Sequence, residues 1–484
     1  MLLRLLPIVL LAAYAAAQAQ PSLTLRGTVK GAQNNTYIEA PFTVPVHTHR
    51  LTITFHYTGK EEKTTFDLGV EDPHGFRGWS GGNKSTFTIS ADDATPSYLP
   101  GELIAGQWKL LIGVPNIRPQ STASYAAEVF FEPLDSVKTD AFTDTPLRQG
   151  PGWYRGDLHM HTAHSDGHCK SQSGKQVPCP VFLTLEAATR RGLDFIAVTD
   201  HNTTSHYDAL RELQPYFDQL LLIPGREITT FVGHANIFGI TQFVDFREGS
   251  TSMNALFEEA NHLGALISIN HPGAPTGEIC MGCGWQAPTD MRLVNTIEAV
   301  NGGSEEGSYS GIPFWEKQLN SGYRIPAIGG SDNHDAQLPP DRLGSIGSPT
   351  TVVYANDLSV ASILSGMRSG RVFVDLTGSK DRLLDFTARG SGTETVMGGT
   401  MHSRSGEVLD LSAHVIACSG SKLRIVVDGK EYPAIPDATI SSADQTLTAK
   451  WTSDGKRHWL RADVVSDSGK LELLGNPIYV NFHE

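Results

Sequence analysis

His159 and His161 stand one residue apart in Gly156-Asp-Leu-His-Met-His-Thr-Ala-His-Ser-Asp166-Gly167, at the end of a short apolar run. Side chains on an extended chain alternate faces, so both imidazoles point the same way and can reach one cation. The arrangement recurs down the chain, each time as an apolar run beside a group able to bind metal. Phe195-Ile-Ala-Val leads to Thr199-Asp-His201-Asn202, and Leu220-Leu-Leu-Ile leads to Pro224-Gly-Arg-Glu227. Gly233-His234-Ala-Asn236 opens Ile237-Phe238, Leu266-Ile-Ser-Ile-Asn ends in His271-Pro272, and Ile325-Pro-Ala-Ile-Gly-Gly ends in Ser331-Asp332-Asn333-His334. Mixed imidazole and carboxylate donors suit zinc, manganese or iron better than calcium or magnesium, which prefer oxygen alone. Ligands collected from many strand ends are what a barrel of parallel strands offers at its C-terminal rim.

Taken in order, His159-Met-His161, Thr199-Asp-His201, Asn270-His271-Pro272 and Ser331-Asp332-Asn333-His334, with Glu227 in Gly-Arg-Glu-Ile, resemble the motifs of the PHP (polymerase and histidinol phosphatase) superfamily of metal-dependent hydrolases, over residues 153 to 375. The leading apolar segment and the β-rich flanks further resemble the CehA/McbA branch, which includes enzymes that hydrolyse an aryl carbamate ester. The resemblance implies a distorted (β/α)7 barrel of parallel strands holding two or three divalent transition metals. It assigns His159, His161, Glu227 and Asp332 to the first metal and Glu227, His234 and His271 to the second, with Glu227 bridging. Asp166, His201 and His334 would form a third site, with His164 as a substitute ligand. Water shared by two such metals has its pKa lowered to about 7, so a bridging hydroxide is the expected nucleophile. Asp332, or a nearby histidine such as His334, would pass a proton to the leaving group.

Asp157, Asp200, Asn202, Asn236 and Asn333 sit beside the histidines, where they either fix imidazole tautomers or cap loops. Arg226 adjoins the bridging carboxylate and faces either an anionic substrate or the barrel wall. Three functions from different classes fit these residues: hydrolysis of small phosphoesters, hydrolysis of a carbamate or carboxyl ester, and a non-catalytic metal-binding scaffold. The size of the ligand set disfavours the scaffold, because clustered polar groups are costly to hold together. A phosphatase needs basic residues at the rim, for which Arg226, Arg324 and Arg342 are the candidates. An aryl esterase needs an apolar pocket, for which Phe231, Trp285, Tyr309 and Trp315 are the candidates. A net charge of -14 argues against nucleic acid and anionic membranes as partners and leaves a small-molecule ester as the expected substrate. Oligomeric state is not legible.

A chain of 484 residues, 39% hydrophobic and 19% charged, is too long for one core. Residues 1–19 read as a secretory signal peptide: Arg4, the apolar run Leu5 to Ala17, and Ala17-Gln18-Ala19 as cleavage site. Export to the periplasm or beyond is therefore expected. Residues 20–150 alternate apolar and polar, as in Leu51-Thr-Ile53-Thr-Phe55-His-Tyr57, and read as an antiparallel β-sandwich ending in a polar linker from Asp135. Trp79 and Tyr98 could give it a sugar-binding surface, although a structural role is favoured. Residues 151–378 form the barrel domain, with helices over Phe182–Arg191, Asn254–Leu263, Ile312–Ser321 and Leu358–Ser369, the first three stopped by Gly192, Gly264 and Gly322. Residues 379–484 return to strands and form a small β domain, with Asp428-Gly429 as a hairpin signal. Of five cysteines, Cys169 with Cys179 and Cys280 with Cys283 are expected as two local disulfides, leaving Cys418 free; a zinc site built on Cys280-Met-Gly-Cys283 is the competing reading.

Overall fold

The alternation Leu51-Thr-Ile53-Thr-Phe55 buries its apolar members and leaves the threonines half-exposed, as expected of a sheet with one face on a core. A computed structural model of the chain describes residues 20–134, 139–249, 251–278, 280–433, 435 and 437–482. The expected signal peptide lies outside the described residues, as do residues 135–138 of the linker. Two compact units emerge, one of residues up to Ala91 together with Ser97–Leu134, the other of Asp92–Pro96 together with Asp135–Glu484.

The first unit holds two four-stranded antiparallel sheets. One runs Leu23–Lys30, Thr122–Pro133, Thr48–Tyr57, Thr86–Ser90; the other runs Thr36–Val44, Gly106–Asn116, Thr65–Asp72, Gly75–Gly81. Aromatic rings meet between them, Phe42 with Phe131 and Phe55 with Phe66, so the sheets pack face to face as a sandwich. Tyr98 is no exposed platform. It is buried, stacks on Phe87 with ring centroids 3.9 Å apart and hydrogen-bonds Ser80, while Trp79 lies edge-on to Tyr37.

In the second unit we number the site-bearing strands β1 (Gly152–Asp157), β2 (Phe195–Val198), β3 (Leu221–Thr229), β4 (His234–Phe238), β5 (Leu266–Ile269), β6 (Thr296–Asn301), β7 (Ala327–Gly330), β8 (Thr350–Ala355) and β9 (Val372–Asp375). Their order in the sheet is β7-β6-β5-β4-β3-β2-β1-β8-β9. Helices α1 (Val181–Arg191), α2 (Tyr207–Leu213), α3 (Phe246–Gly249), α4 (Met253–His262), α5 (Ile312–Ser321) and α6 (Val360–Ser369) lie between them. α1 and α5 end on left-handed Gly192 and Gly322, as the sequence predicts.

The sheet departs from the expected set of parallel strands. β1/β2, β2/β3, β5/β6 and β6/β7 are parallel, but β4 runs antiparallel to both β3 and β5. Only Thr230–Gly233 joins β3 to β4, enough for a hairpin and too short for the crossover that parallel pairing requires. Past the ends of β1 and β7, Met160 bridges to Asn333, with the His161 amide donating to the Asn333 carbonyl. After residue 378 some strands continue the same sheet, since β9 pairs with Leu471–Gly475, which pairs with His458–Val465, while Leu383–Gly390, Thr393–Val396, Val408–Ile416 and Asp444–Thr452 form a separate four-stranded sheet. β2, β5, β7 and β9 are buried along their whole length, as strands covered on both faces must be.

Candidate metal centre

Fully buried strands leave only their ends open to a ligand, and that is where the predicted residues fall. His159 and His161 follow β1, with Asp166 further along the same loop. His201 follows β2, Glu227 lies near the end of β3, His271 follows β5, and Asp332 and His334 follow β7. Because β4 is reversed, His234 at its start shares the end of the sheet that carries the others. His271 and Asp332 both adopt left-handed backbone, with φ of 26° and 52°, a conformation that non-glycine residues keep where the surroundings impose it. Gly330 permits the closest approach, since a β-carbon there would collide with the His159 and Glu298 side chains.

All nine predicted ligands converge. Asp332 Oδ1 stands 3.1 Å from His161 Nε2 and 3.4 Å from His159 Nε2. Glu227 Oε1 stands 3.5 Å from His159 Nε2, 3.4 Å from His234 Nδ1 and 3.3 Å from His271 Nε2. Asp166 Oδ1 faces His334 Nε2 at 3.4 Å and His201 Nε2 at 3.6 Å. Two ligands about 2.1 Å from one cation at a tetrahedral angle lie roughly 3.4 Å apart, so the spacings of 3.3 to 3.6 Å fit shared cations, while His161 Nε2 and Asp332 Oδ1 at 3.1 Å are also within hydrogen-bond reach. His159 Nε2, which faces both Glu227 and Asp332, is buried without a hydrogen-bond partner, which also fits a metal-holding role, while Glu227 Oε2 lies 2.8 Å from His201 Nδ1. The His, Asp and Glu clusters are thus compatible with metal binding.

Exposure separates the groups. The His159, His161 and Glu227 side chains are at most 1% exposed, whereas the Asp166 side chain is 58% exposed, so the third group faces solvent. His161 also belongs spatially to that group. Burial by itself would raise the carboxyls of Glu227 and Asp332, but the imidazoles around them hold both well below the carboxylate range. Burial likewise opposes protonation of His334, yet the Asp166 and Asp332 carboxylates push it up to about 9.

The neighbours divide unexpectedly. Asp157 accepts from the amides of Ser331 and Gly347, Asp200 from Thr162 and Ser165, and Asn333 donates to the Asp335 and Gly344 carbonyls. Asn202 pairs with Thr229, and Asn236 donates to the Leu158 carbonyl. These residues secure the loops and contact no ligand ring through those bonds. The partner that sets an imidazole is Glu298, in the middle of β6. It accepts hydrogen bonds from His159 Nδ1 at 3.0 Å and from the His271 amide at 2.9 Å. Its only signal in the sequence is an acid inside the apolar run Ile297-Glu-Ala-Val300.

His164 stays out of the ligand groups and bonds Ser205 instead. Arg226 is fully buried and donates to the Gln242 carbonyl, while Arg324 reaches Thr400. Trp315 is buried with its indole N–H on the Ile325 carbonyl, and Trp285 stacks on Phe257. Phe231 and Tyr309, expected to line an apolar pocket, are instead exposed. Cys280 and Cys283 are bonded, but Cys169 and Cys179 are buried thiols. Their hairpin sets Cys169 opposite Val177, so the two sulfurs meet as hydrogen-bond partners.

Fold and site together define a strand-rich protein with clustered metal-ligand residues at the ends of buried strands. No family model matches the chain. It is 30% identical over 132 residues, 27% of this chain and 72% of the relative, to "Uncharacterized protein MJ1587" of Methanocaldococcus jannaschii, and it belongs to the family of that archaeal protein. Among solved structures it is similar to a two-domain protein from Bacteroides vulgatus containing a predicted PHP-like metal-dependent phosphoesterase, at 20% identity and a TM-score of 0.39, covering 70% of this chain and 98% of that one. It is also similar to the CARDB domain of PF1109 from Pyrococcus furiosus, at 11% identity and a TM-score of 0.14, covering 20% and 94%. At those TM-scores neither likeness bears on function.

Proposed function

We propose that this chain is a metal-dependent hydrolase of small phosphoesters, of the PHP type, using two or three divalent zinc, manganese or iron ions. The observation that carries the reading is the convergence of His159, His234 and His271 on one buried oxygen of Glu227, Oε1, at 3.3 to 3.5 Å, with His201 on the other oxygen. A carboxylate placed so can serve adjacent cations, the arrangement that suits the oxygens of a transferring phosphoryl group. His159, His161, Glu227 and Asp332 would hold the first cation, Glu227, His234 and His271 the second, and Asp166, His201 and His334 the third. Such cations, when bound, polarise a phosphoryl or carbonyl oxygen and lower the pKa of water. Glu298 keeps the His159 proton on Nδ1, so that Nε2 presents its lone pair. Proton delivery to the leaving oxygen falls to His334, whose side chain is 35% exposed, rather than to Asp332, which its histidines hold ionised.

A second reading, hydrolysis of a carbamate or carboxyl ester, is favoured by a different observation. Arg226 and Arg324 are engaged elsewhere, whereas Phe231, Met281, Tyr309 and Leu343 are exposed on loops that leave the site-bearing strand ends. The deciding experiment is hydrolysis by the purified protein loaded with zinc, manganese or iron, across aryl phosphomonoesters, phosphodiesters, carboxyl esters and carbamates, beside His271→Ala. Phosphoester turnover that the variant loses is the expected result. Turnover of carbamates or carboxyl esters alone would replace the first reading by the second, and turnover equal in His271→Ala would overturn both.

A further inference from the structure

Around Glu227, His234 and His271 present opposite ring nitrogens: His234 through Nδ1 and His271 through Nε2. An imidazole can offer a lone pair from a chosen nitrogen only if its other nitrogen keeps the proton, and both remaining N–H groups here point into one short loop. His234 Nε2 donates to the Met281 carbonyl at 3.2 Å, and His271 Nδ1 donates to the Cys283 carbonyl at 3.3 Å. That loop is closed by the Cys280–Cys283 disulfide.

We propose that the disulfide-closed loop Cys280–Cys283 is a positioning clamp that selects the tautomers of His234 and His271 and thereby sets the affinity of the cation they hold. The proposal rests on the metal-binding reading above. The loop is anchored on both sides of the pair it orients. The Gln286 and Ala287 amides donate to the Val232 carbonyl in the turn before His234, and the Trp285 amide donates to the Pro272 carbonyl just after His271. Gly282 has a φ of 79°, and a β-carbon there would collide with the Thr230 carbonyl, so only glycine lets the loop lie this close. The Cys283 sulfur lies within 4.8 Å of a ring nitrogen of each histidine. Held in the disulfide, it is withheld as a thiolate, and nitrogen and oxygen donors remain to meet the cation.

Outer partners of metal-bound imidazoles are typically worth about 10- to 100-fold in metal affinity. The test is calorimetric titration of the full-length, metal-stripped protein with Zn²⁺, comparing wild type with Cys280→Ala/Cys283→Ala and with Gly282→Ala, which displaces the loop while leaving both cysteines in place. The expected result is one binding event weakened about 10- to 100-fold in each variant that keeps the wild-type thermal unfolding profile, the other events being unchanged. A general weakening of all events would mean a merely structural loop and overturn the proposal. Wild-type affinities in either folded variant would also overturn it while leaving the metal reading intact. A wild type that binds no Zn²⁺ at high affinity would remove the metal reading itself.

Discussion

Two buried polar clusters, one in each unit, show what separates a structural arrangement from a functional one. In the first unit, Arg77 is buried against Asp72 at 2.9 Å and also donates to the Leu99, Gly101 and Glu102 carbonyls. Its donors converge on acceptors at hydrogen-bond distance, so the cluster is complete as it stands. At the strand ends of the second unit, Glu227 and Asp332 face several histidines at 2.8 to 3.7 Å, and the buried His159 Nε2 between them remains without a hydrogen-bond partner. Burying such groups is costly unless something answers them. The first cluster ties a loop down; the second has the composition and spacing to take up cations.

If that contrast is right, the two clusters should fail differently. Removing a ligand should have the largest effect: Asp332→Ala is expected to lower turnover by more than the roughly 100-fold upper range for outer-partner loss, with an unchanged circular dichroism spectrum. Steady-state kinetics on the reactive substrate checks this, and near-wild-type rates would dissolve the contrast. Arg77→Ala should do the opposite, costing about 1–3 kcal/mol of stability by leaving the Leu99, Gly101 and Glu102 carbonyls without their donor while leaving Zn²⁺ affinity as it was; denaturant unfolding and calorimetry read the two quantities. Glu298→Gln keeps the shape but weakens the acceptor for His159 Nδ1, so metal affinity should fall about 10-fold, the low end for an outer partner. Titration with Zn²⁺ measures it.

The smallest effect expected is on the pH dependence of stability. Burial holds the His206 imidazole down at about 4, against the pull of Asp200, from an ordinary value of 6.5. Between those values the unfolded chain accepts a proton that the folded chain refuses. Stability present above about 6.5 is therefore lost as pH falls toward 4. Replacing His206 by Gln should flatten that part of the curve, as followed by denaturant midpoints at several pH values; an unaltered slope would assign the acid sensitivity to other groups.

Much of this was legible beforehand for identifiable reasons. Every ligand but Asp166 stands in the sequence at or within a few residues of an apolar run, and helix stops such as Gly192 and Gly322 act through local backbone freedom. Other features depended on pairing. The reversal of β4 follows from a four-residue turn whose consequence is topological. Glu298 looks like any acid in a strand until β6 is set beside the His159 and His271 loops. Arg226, adjacent to a ligand, turned away to Gln242 because neighbouring residues on a strand face opposite sides. The cysteines make the same point: both pairs are close in sequence, yet Cys280 and Cys283 are bonded while Cys169 and Cys179 remain thiols.

By itself, then, the sequence determined which residues could bind metal and that they sit at strand ends, because side-chain chemistry and the two-residue period of a strand are local properties. Only the tertiary structure decided which nitrogen each histidine presents, which carboxylate is shared and which acid stands behind His159. Those depend on distances between segments more than a hundred residues apart, such as His159 and Glu298, which no local pattern encodes.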